Sequence, residues 1–299
     1  IKWHANSGIS THVNLGLFSE RSSWQPAWRF DAGGVLWRLL PDNRGSILGE
    51  VRDPESRTAW FFCLREQDGA ARWDRLRLHE SWWLGVDDVV DGRVFFHGFR
   101  KPDMPQHLGI FVHDLISGNE LWRNEELTWL LTWEGMVYAA REGFDGLRLL
   151  RLDAATGAVI DEPGADHRAL RSAREQANAE NRFAGYAWPE PFTEEHAQHA
   201  VCAGAVAELL RESDAHGHPD VLLHDDVLFC AWHARKAGGG LEQHFAARRL
   251  DNGRTLFRTR LLAHADAPGM DSFFIKDNLL LYIQDRRVLT VHDLHGVPA

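Results

Sequence analysis

Short apolar runs separated by polar turns recur along most of this chain, and turn residues beside β-branched and aromatic runs mark β-hairpins. The fullest example is Val112-His113-Asp114-Leu115-Ile116-Ser117-Gly118-Asn119-Glu120-Leu121-Trp122. It reads as a strand, a tight turn from Asp to Gly, and a second strand opened by an aromatic four residues after the glycine. Weaker copies run from Asp68-Gly69 to Trp73, from Asp153 to Gly157, from Asp251 and Gly253 to Phe257, and through Asp293-Leu294-His295-Gly296. A second marker, a polar turn before a short apolar strand, precedes each copy: Asn43-Arg44-Gly45, Asp91-Gly92, Glu134-Gly135, Asp225-Asp226 and Asp277-Asn278. Gly69, Gly118 and Gly157 are 49 and 39 residues apart; Gly157 to Gly253 spans 96 and Gly253 to Gly296 spans 43. A repeat of about 40 residues, each a small meander of strands, predicts an all-β fold of the β-propeller type or a related array.

The spacing sets units at 36–83, 84–127, 128–164 and 221–268, with a fifth built from 269–299. That last unit runs out of chain before its outer strand. Trp24-Gln25-Pro26-Ala27-Trp28-Arg29-Phe30 reads as an edge strand, since Pro26 bars it from a central position, and it is expected to fill the vacancy and close the ring. Five blades are expected, six if another segment supplies one. Residues 1–23 are polar and irregular, 24–164 hold the closing strand and three blades, and 221–299 hold the remaining blades.

Residues 165–220 interrupt the repeat. Ala165 to Phe183 is rich in arginine and alanine and reads as a solvent-facing helix. Gly185 to Pro191 reads as a loop. Thr193 looks like the N-cap of a second helix ending near Ser213, with Ala197, Val201, Gly204, Ala205, Leu209 and Leu210 as its apolar stripe. The expectation is a helical hairpin inserted into the propeller.

A net charge of −10 and arginines interleaved with acids argue against a broad grip on nucleic acid. Cys63, Cys202 and Cys230 show no C-x-x-C spacing and read as buried free thiols, which suits a reducing compartment. No apolar run approaches the 18 or so residues that a membrane helix needs. A cytoplasmic location is expected, although a chain beginning at Ile1 leaves a removed signal peptide open.

The strand–Asp-x-x-[Ser/Thr]-Gly-x-x-x-Trp pattern resembles the quinoprotein-like, tryptophan-docking β-propeller repeat, and the chain is similar to uncharacterised bacterial propeller proteins. Asp114, Ser117, Gly118 and Trp122 match in full, whereas Asp153, Thr156 and Gly157 match until Asp161 stands in the tryptophan's place. Asp68, Gly69 and Trp73 shorten the turn, and Asp251, Gly253 and Phe257 do so with phenylalanine. The resemblance implies that the aspartate and glycine hold the turn and the tryptophan docks between blades. Enzymes of that superfamily have about eight blades, pyrroloquinoline quinone and calcium. This chain is too short for eight and lacks their adjacent cysteine pair, so the resemblance carries the fold and no cofactor.

Among 17 histidines, His196 and His199 share a predicted helical face and His216 and His218 follow, but no third ligand accompanies them, and no metal site is expected. Cys202 with His199 lacks triad geometry. Trp188, with Tyr186, stands beside proline on the predicted loop and suits a contact anchor for an unknown protein or small ligand. The favoured reading is a non-catalytic binding scaffold. The alternative is a glycan-acting hydrolase, which needs facing carboxylates at the channel mouth; its candidates are Asp87, Asp88, Asp225 and Asp226, all placed beside predicted hairpin turns.

Overall fold

The computed structural model describes residues 23–100, 105–144, 146–180, 183–269 and 272–298. The irregular segment expected at 1–23 lies almost wholly outside them. Among the described residues the fold is all-β, with 22 strands in five antiparallel sheets and two α-helices. The chain divides into two compact units, residues 35–184 and residues 185–298 with 23–34.

Strand β1 (Trp28–Asp31) belongs to the second unit. The first unit holds three meanders of four strands: β2 (Val35–Pro41), β3 (Ser46–Asp53), β4 (Thr58–Arg65) and β5 (Ala71–Leu76); β6 (Leu84–Val90), β7 (Arg93–Phe99), β8 (His107–Asp114) and β9 (Glu120–Asn124); β10 (Thr128–Trp133), β11 (Met136–Gly143), β12 (Gly146–Asp153) and β13 (Val159–Gly164). Alternating side chains leave one apolar row per face, and those rows meet between sheets. Leu48, Phe61 and Cys63 of the first sheet pack with Val86 and Phe96 of the second, and Phe95 and Val112 of the second pack with Val137, Ala139 and Leu150 of the third. Helix α1 (Arg168–Ala179) closes the unit by seating Leu170, Ala173 and Ala177 with Leu131, Tyr138 and Leu149.

In the second unit β14 (Tyr186–Ala187) and β15 (Glu190–Pro191) are followed by α2 (His199–Leu210), then β16 (Ala215–His224), β17 (Val227–Arg235), β18 (Leu241–Arg249) and β19 (Thr255–Ala265), and finally β20 (Phe273–Lys276), β21 (Leu279–Gln284) and β22 (Val288–Asp293). The sheet orders are β15-β16-β17-β18-β19 and β1-β22-β21-β20-β14. Strand β1 is the outer strand of the last sheet, with Trp28 opposite Val291 and Asp31 opposite Val288. Phe229, Phe245 and Phe257 of one sheet meet Phe273, Ile275 and Tyr282 of the other, and Trp24 packs into the same cluster.

The two sequence markers recur together because they are hydrogen-bonded to each other in all five sheets. The residue that follows the third meander strand donates its N–H to a carbonyl of the first turn: Glu66 to Gly45, Leu115 to Gly92, Ala154 to Gly135, Leu250 to Asp226 and Leu294 to Asn278, at 2.8–3.0 Å. The carbonyls of Leu115 and Ala154 then accept the indole N–H of Trp73 (2.9 Å) and Trp122 (3.0 Å), each from the preceding sheet. Both indoles lie flat against turn glycines at positive φ. A Cβ on Gly118 would meet the Trp73 ring at 3.1 Å, and one on Gly157 would meet Trp122 at 2.6 Å. Asp114 and Asp153 hold these turns by accepting the N–H groups of Ser117 and Thr156 at 2.6 and 2.8 Å.

The insertion differs from the expected helical hairpin. Its helices sit in different units, and the predicted loop between them supplies strands: β14 pairs with β20 and β15 with β16. The second helix starts at His199 rather than after Thr193, whose carbonyl is spent on a turn to His196. Its buried face is Cys202, Val206 and Leu209, whereas Val201 of the predicted stripe is 63% exposed.

All three cysteines are free and buried, and burial pushes the Cys63 and Cys230 thiols up to about 12. No described helix is long and apolar enough to cross a membrane.

Candidate functional site

The first strands of the three meanders in the first unit share an irregularity. Each carries a β-bulge, at matching register in the second and third sheets and two residues further along in the first, which leaves Trp37, Asp87 and Leu130 without a partner across the ladder. A bulge re-aims the extra side chain. In the second sheet that residue is a carboxylate. Asp87 therefore stands within strand β6, and Asp88 with it, rather than beside a turn as the sequence suggested.

Two histidines converge on Asp87. His97 ends the apolar run of β7, and His107 opens β8 across the same hairpin, where a second bulge between Phe96 and Gly98 displaces the two strands. The Nδ1 atoms of both histidines lie 2.9 Å from Asp87 Oδ1. Their rings stack with centroids 3.4 Å apart and planes 10° from parallel. One oxygen does not lie in both of two parallel ring planes. His107 accordingly makes the hydrogen bond, while His97 Nδ1 and Asp87 Oδ2 stay buried without a hydrogen-bond partner. The ring of Phe99 walls the pair edge-on, 5.3 Å from His97 and 5.4 Å from His107.

Charge follows geometry. Burial pushes the Asp87 carboxyl up, but the hydrogen bond of His107 and the closeness of both imidazoles outweigh it and hold the group below its ordinary range. Burial also lowers His97, against the opposing pull of Asp87. The cluster is therefore an ionised carboxylate beside a neutral imidazole. On the other side of His97 sits Glu50, 2% exposed. A Cβ at Gly85 would lie 2.9 Å from His97 Nε2 and 3.8 Å from Glu50 Oε2, so only glycine leaves this space open. Arg52 fixes Glu50: its Nε donates to Glu50 Oε1 at 2.7 Å and its Nη1 to the Trp82 carbonyl at 3.0 Å. The guanidinium lies 5.4 and 5.1 Å from the Trp37 and Trp82 ring centroids.

The other predicted acids behave differently. Asp88 is buried and its carboxylate accepts the N–H of Val89. Asp225 is an exposed turn residue at φ 51°, and Asp226 pairs with Arg249. Cys202 is fully buried with its thiol pushed up by burial, the opposite of a nucleophile's setting. His196 precedes α2 rather than sharing its face with His199, and both rings lie against Phe192, at 5.3 and 5.0 Å.

A second constellation lies in the second unit. Trp188 stacks on Phe274 at 5.1 Å and on Tyr186 at 5.6 Å, and Tyr186 stacks on Phe274 at 6.0 Å. Strand β14 places Tyr186 opposite Lys276, whose Nζ is 6.0 Å from the ring centroid. Phe274 is buried, and Trp188 is 38% exposed. The stack thus anchors one aromatic side chain at the surface. Tyr186 and Trp188 were singled out by their loop setting; Phe274, the ring beneath them, is 86 residues away in sequence from Trp188 and gave no signal.

Comparison with known proteins adds little chemistry. A family described as a domain of unknown function (DUF4905) matches residues 41–122, which span most of the first two sheets. A search of curated proteins found no match. Among solved structures, an endo-arabinase from Bacteroides thetaiotaomicron is similar at 11% identity over 90% of this chain and 96% of its own, with a TM-score of 0.26. A eukaryotic initiation factor (7% identity, 88% of this chain, 52% of its own, TM-score 0.32) is also similar. So is an acylaminoacyl peptidase from Pyrococcus horikoshii (10%, 86%, 36%, TM-score 0.30). At these scores the likenesses carry no argument.

Proposed function

We propose that the five sheets are the blades of one β-propeller of the tryptophan-docking kind, and that the protein is a non-catalytic scaffold that binds a protein or small-ligand partner through Trp188. The observation that carries the binding reading is the Tyr186–Trp188–Phe274 stack, in which two rings hold a third at the surface. A rigid, partly exposed tryptophan gives contact area at little entropic cost, which is the property of interface anchors. The docked indoles of Trp73 and Trp122 support the repeat assignment.

The hydrolase alternative now rests on Asp87. Its histidine neighbours keep it ionised, so it suits a base or a ligand and not the proton donor that glycoside cleavage also requires.

Quantitative affinity capture from the source cells, with parent protein and Trp188→Ala side by side, tests the binding reading. Partners retained by the parent and lost from the variant are expected. Identical capture by both proteins would remove Trp188 from the account. Turnover of a glycan panel that disappears in Asp87→Asn would replace the scaffold by an enzyme.

A further inference from the structure

We propose that Asp87, His97 and His107 form a binding site for a divalent transition metal ion of the zinc class, with at least one coordination position left open. The proposal is independent of the partner-binding reading, because these residues lie in the other unit.

The donor set comes first. Among the described residues this is the one group of three His, Cys, Asp or Glu side chains whose ligand atoms lie close enough to share an ion, all within 4.8 Å of one another. Two imidazoles and a carboxylate suit zinc and its first-row neighbours, whereas calcium and magnesium require shells of oxygen. Three protein ligands leave a tetrahedral ion one position for water or substrate, the pattern of catalytic rather than structural zinc.

Unsatisfied atoms come second. His97 and Asp87 keep only 6% and 5% of their side-chain surfaces exposed, yet His97 Nδ1 and Asp87 Oδ2 lack hydrogen-bond partners. Buried polar atoms without partners are costly, and both point into one cluster. A cation bound there converts that cost into ligation.

The surroundings come third. On the Nε2 side of His97, Gly85 leaves a space that Glu50, held in place by Arg52, also borders, so a second buried carboxyl group stands beside the cluster. Little has to move. Ligands of a tetrahedral zinc ion stand about 3.3 Å apart, against the 2.9 Å between each Nδ1 and Asp87 Oδ1. One ring must also turn out of the parallel stack. His107, with 34% of its side chain exposed, has room to do so.

The test is calorimetric titration of the full, chelator-stripped chain with Zn²⁺, beside His107→Ala and Asp87→Asn. One equivalent is expected to bind to the parent, with at least a 100-fold loss of affinity in each variant. His107→Ala changes a partly exposed side chain, so it keeps the test open if Asp87→Asn fails to fold. A Co²⁺-loaded parent should show nitrogen and oxygen ligation without sulfur by X-ray absorption. Preference for Fe²⁺ or Ni²⁺ over Zn²⁺ with the same variant losses also supports the site. No saturable binding, binding undiminished in His107→Ala, or binding of Ca²⁺ and Mg²⁺ alone would overturn it.

Discussion

His292 shows how the setting of one side chain sets a measurable property. Its ring lies among Trp24, Phe257 and Tyr282, with centroids 4.6, 4.8 and 5.7 Å away. Tyr282 Oη is 3.2 Å from Nε2, and Nδ1 is buried without a partner. Burial, helped by the charge of Arg29, lowers its pKa from 6.5 to about 4. The unfolded chain therefore binds the proton first. This residue's contribution is full above pH 6.5 and is lost as pH falls toward 4, by about 2–3 kcal/mol at pH 4.5. Urea unfolding of the parent and His292→Phe at pH 7 and 4.5 should show the variant gaining on the parent by that amount at the lower pH. An unchanged difference would place the charge on another group. His113 occupies the matching place in the second sheet and is also lowered by burial, but its Nδ1 lies 2.9 Å from the Gly118 carbonyl. Asp87 was legible as a candidate, while its partners were not. His97 and His107 stand 10 residues apart in sequence, and nothing in a one-dimensional pattern announces a bulge that turns a carboxylate toward them.

At the scale of elements, what local chemistry determines was readable and what register determines was not. Each polar turn and each Asp-to-Gly turn carries its own signal in residues that accept positive φ or cap a turn, such as Asp91-Gly92 and Asp114 to Gly118. The two-residue strands β14 and β15 are too short to show a period, so residues 185–191 read as a loop. Helix α2 misled for a different reason. His199-Ala200-Val201-Cys202-Ala203-Gly204-Ala205-Val206-Ala207 is small and apolar nearly all round, and such a helix shows no single face. Contact with the fourth sheet chooses Cys202, Val206 and Leu209, which pack with Leu228, Cys230 and Trp232. Val206→Glu should therefore cost more than about 3 kcal/mol, because it buries a charge without a partner, and Val201→Glu should stay within about 0.5 kcal/mol. Thermal melting of the two variants decides it; equal losses would mean that the helix is rotated from this position.

Over the whole molecule, Trp122 and Trp188 stand for two classes of aromatic residue. Trp122 of the repeat is sealed between sheets: it is 9% exposed, donates to the Ala154 carbonyl and covers Gly157 so closely that no Cβ fits beneath it. Trp188 of the insertion is stacked but open. Composition alone offers 13 tryptophans without distinguishing the classes, and only the position after a turn glycine marks Trp73 and Trp122 as structural. The central claim is that the first class holds the fold and the second faces a partner. Unfolding free energies of Trp122→Ala and Trp188→Ala, measured together by denaturant titration, test it most directly. Trp122→Ala should lose about 3–5 kcal/mol, the cost of emptying a buried aromatic site, and Trp188→Ala only about 1–2 kcal/mol. A Trp122→Ala protein as stable as the parent, or a Trp188→Ala protein that loses just as much, would contradict the division.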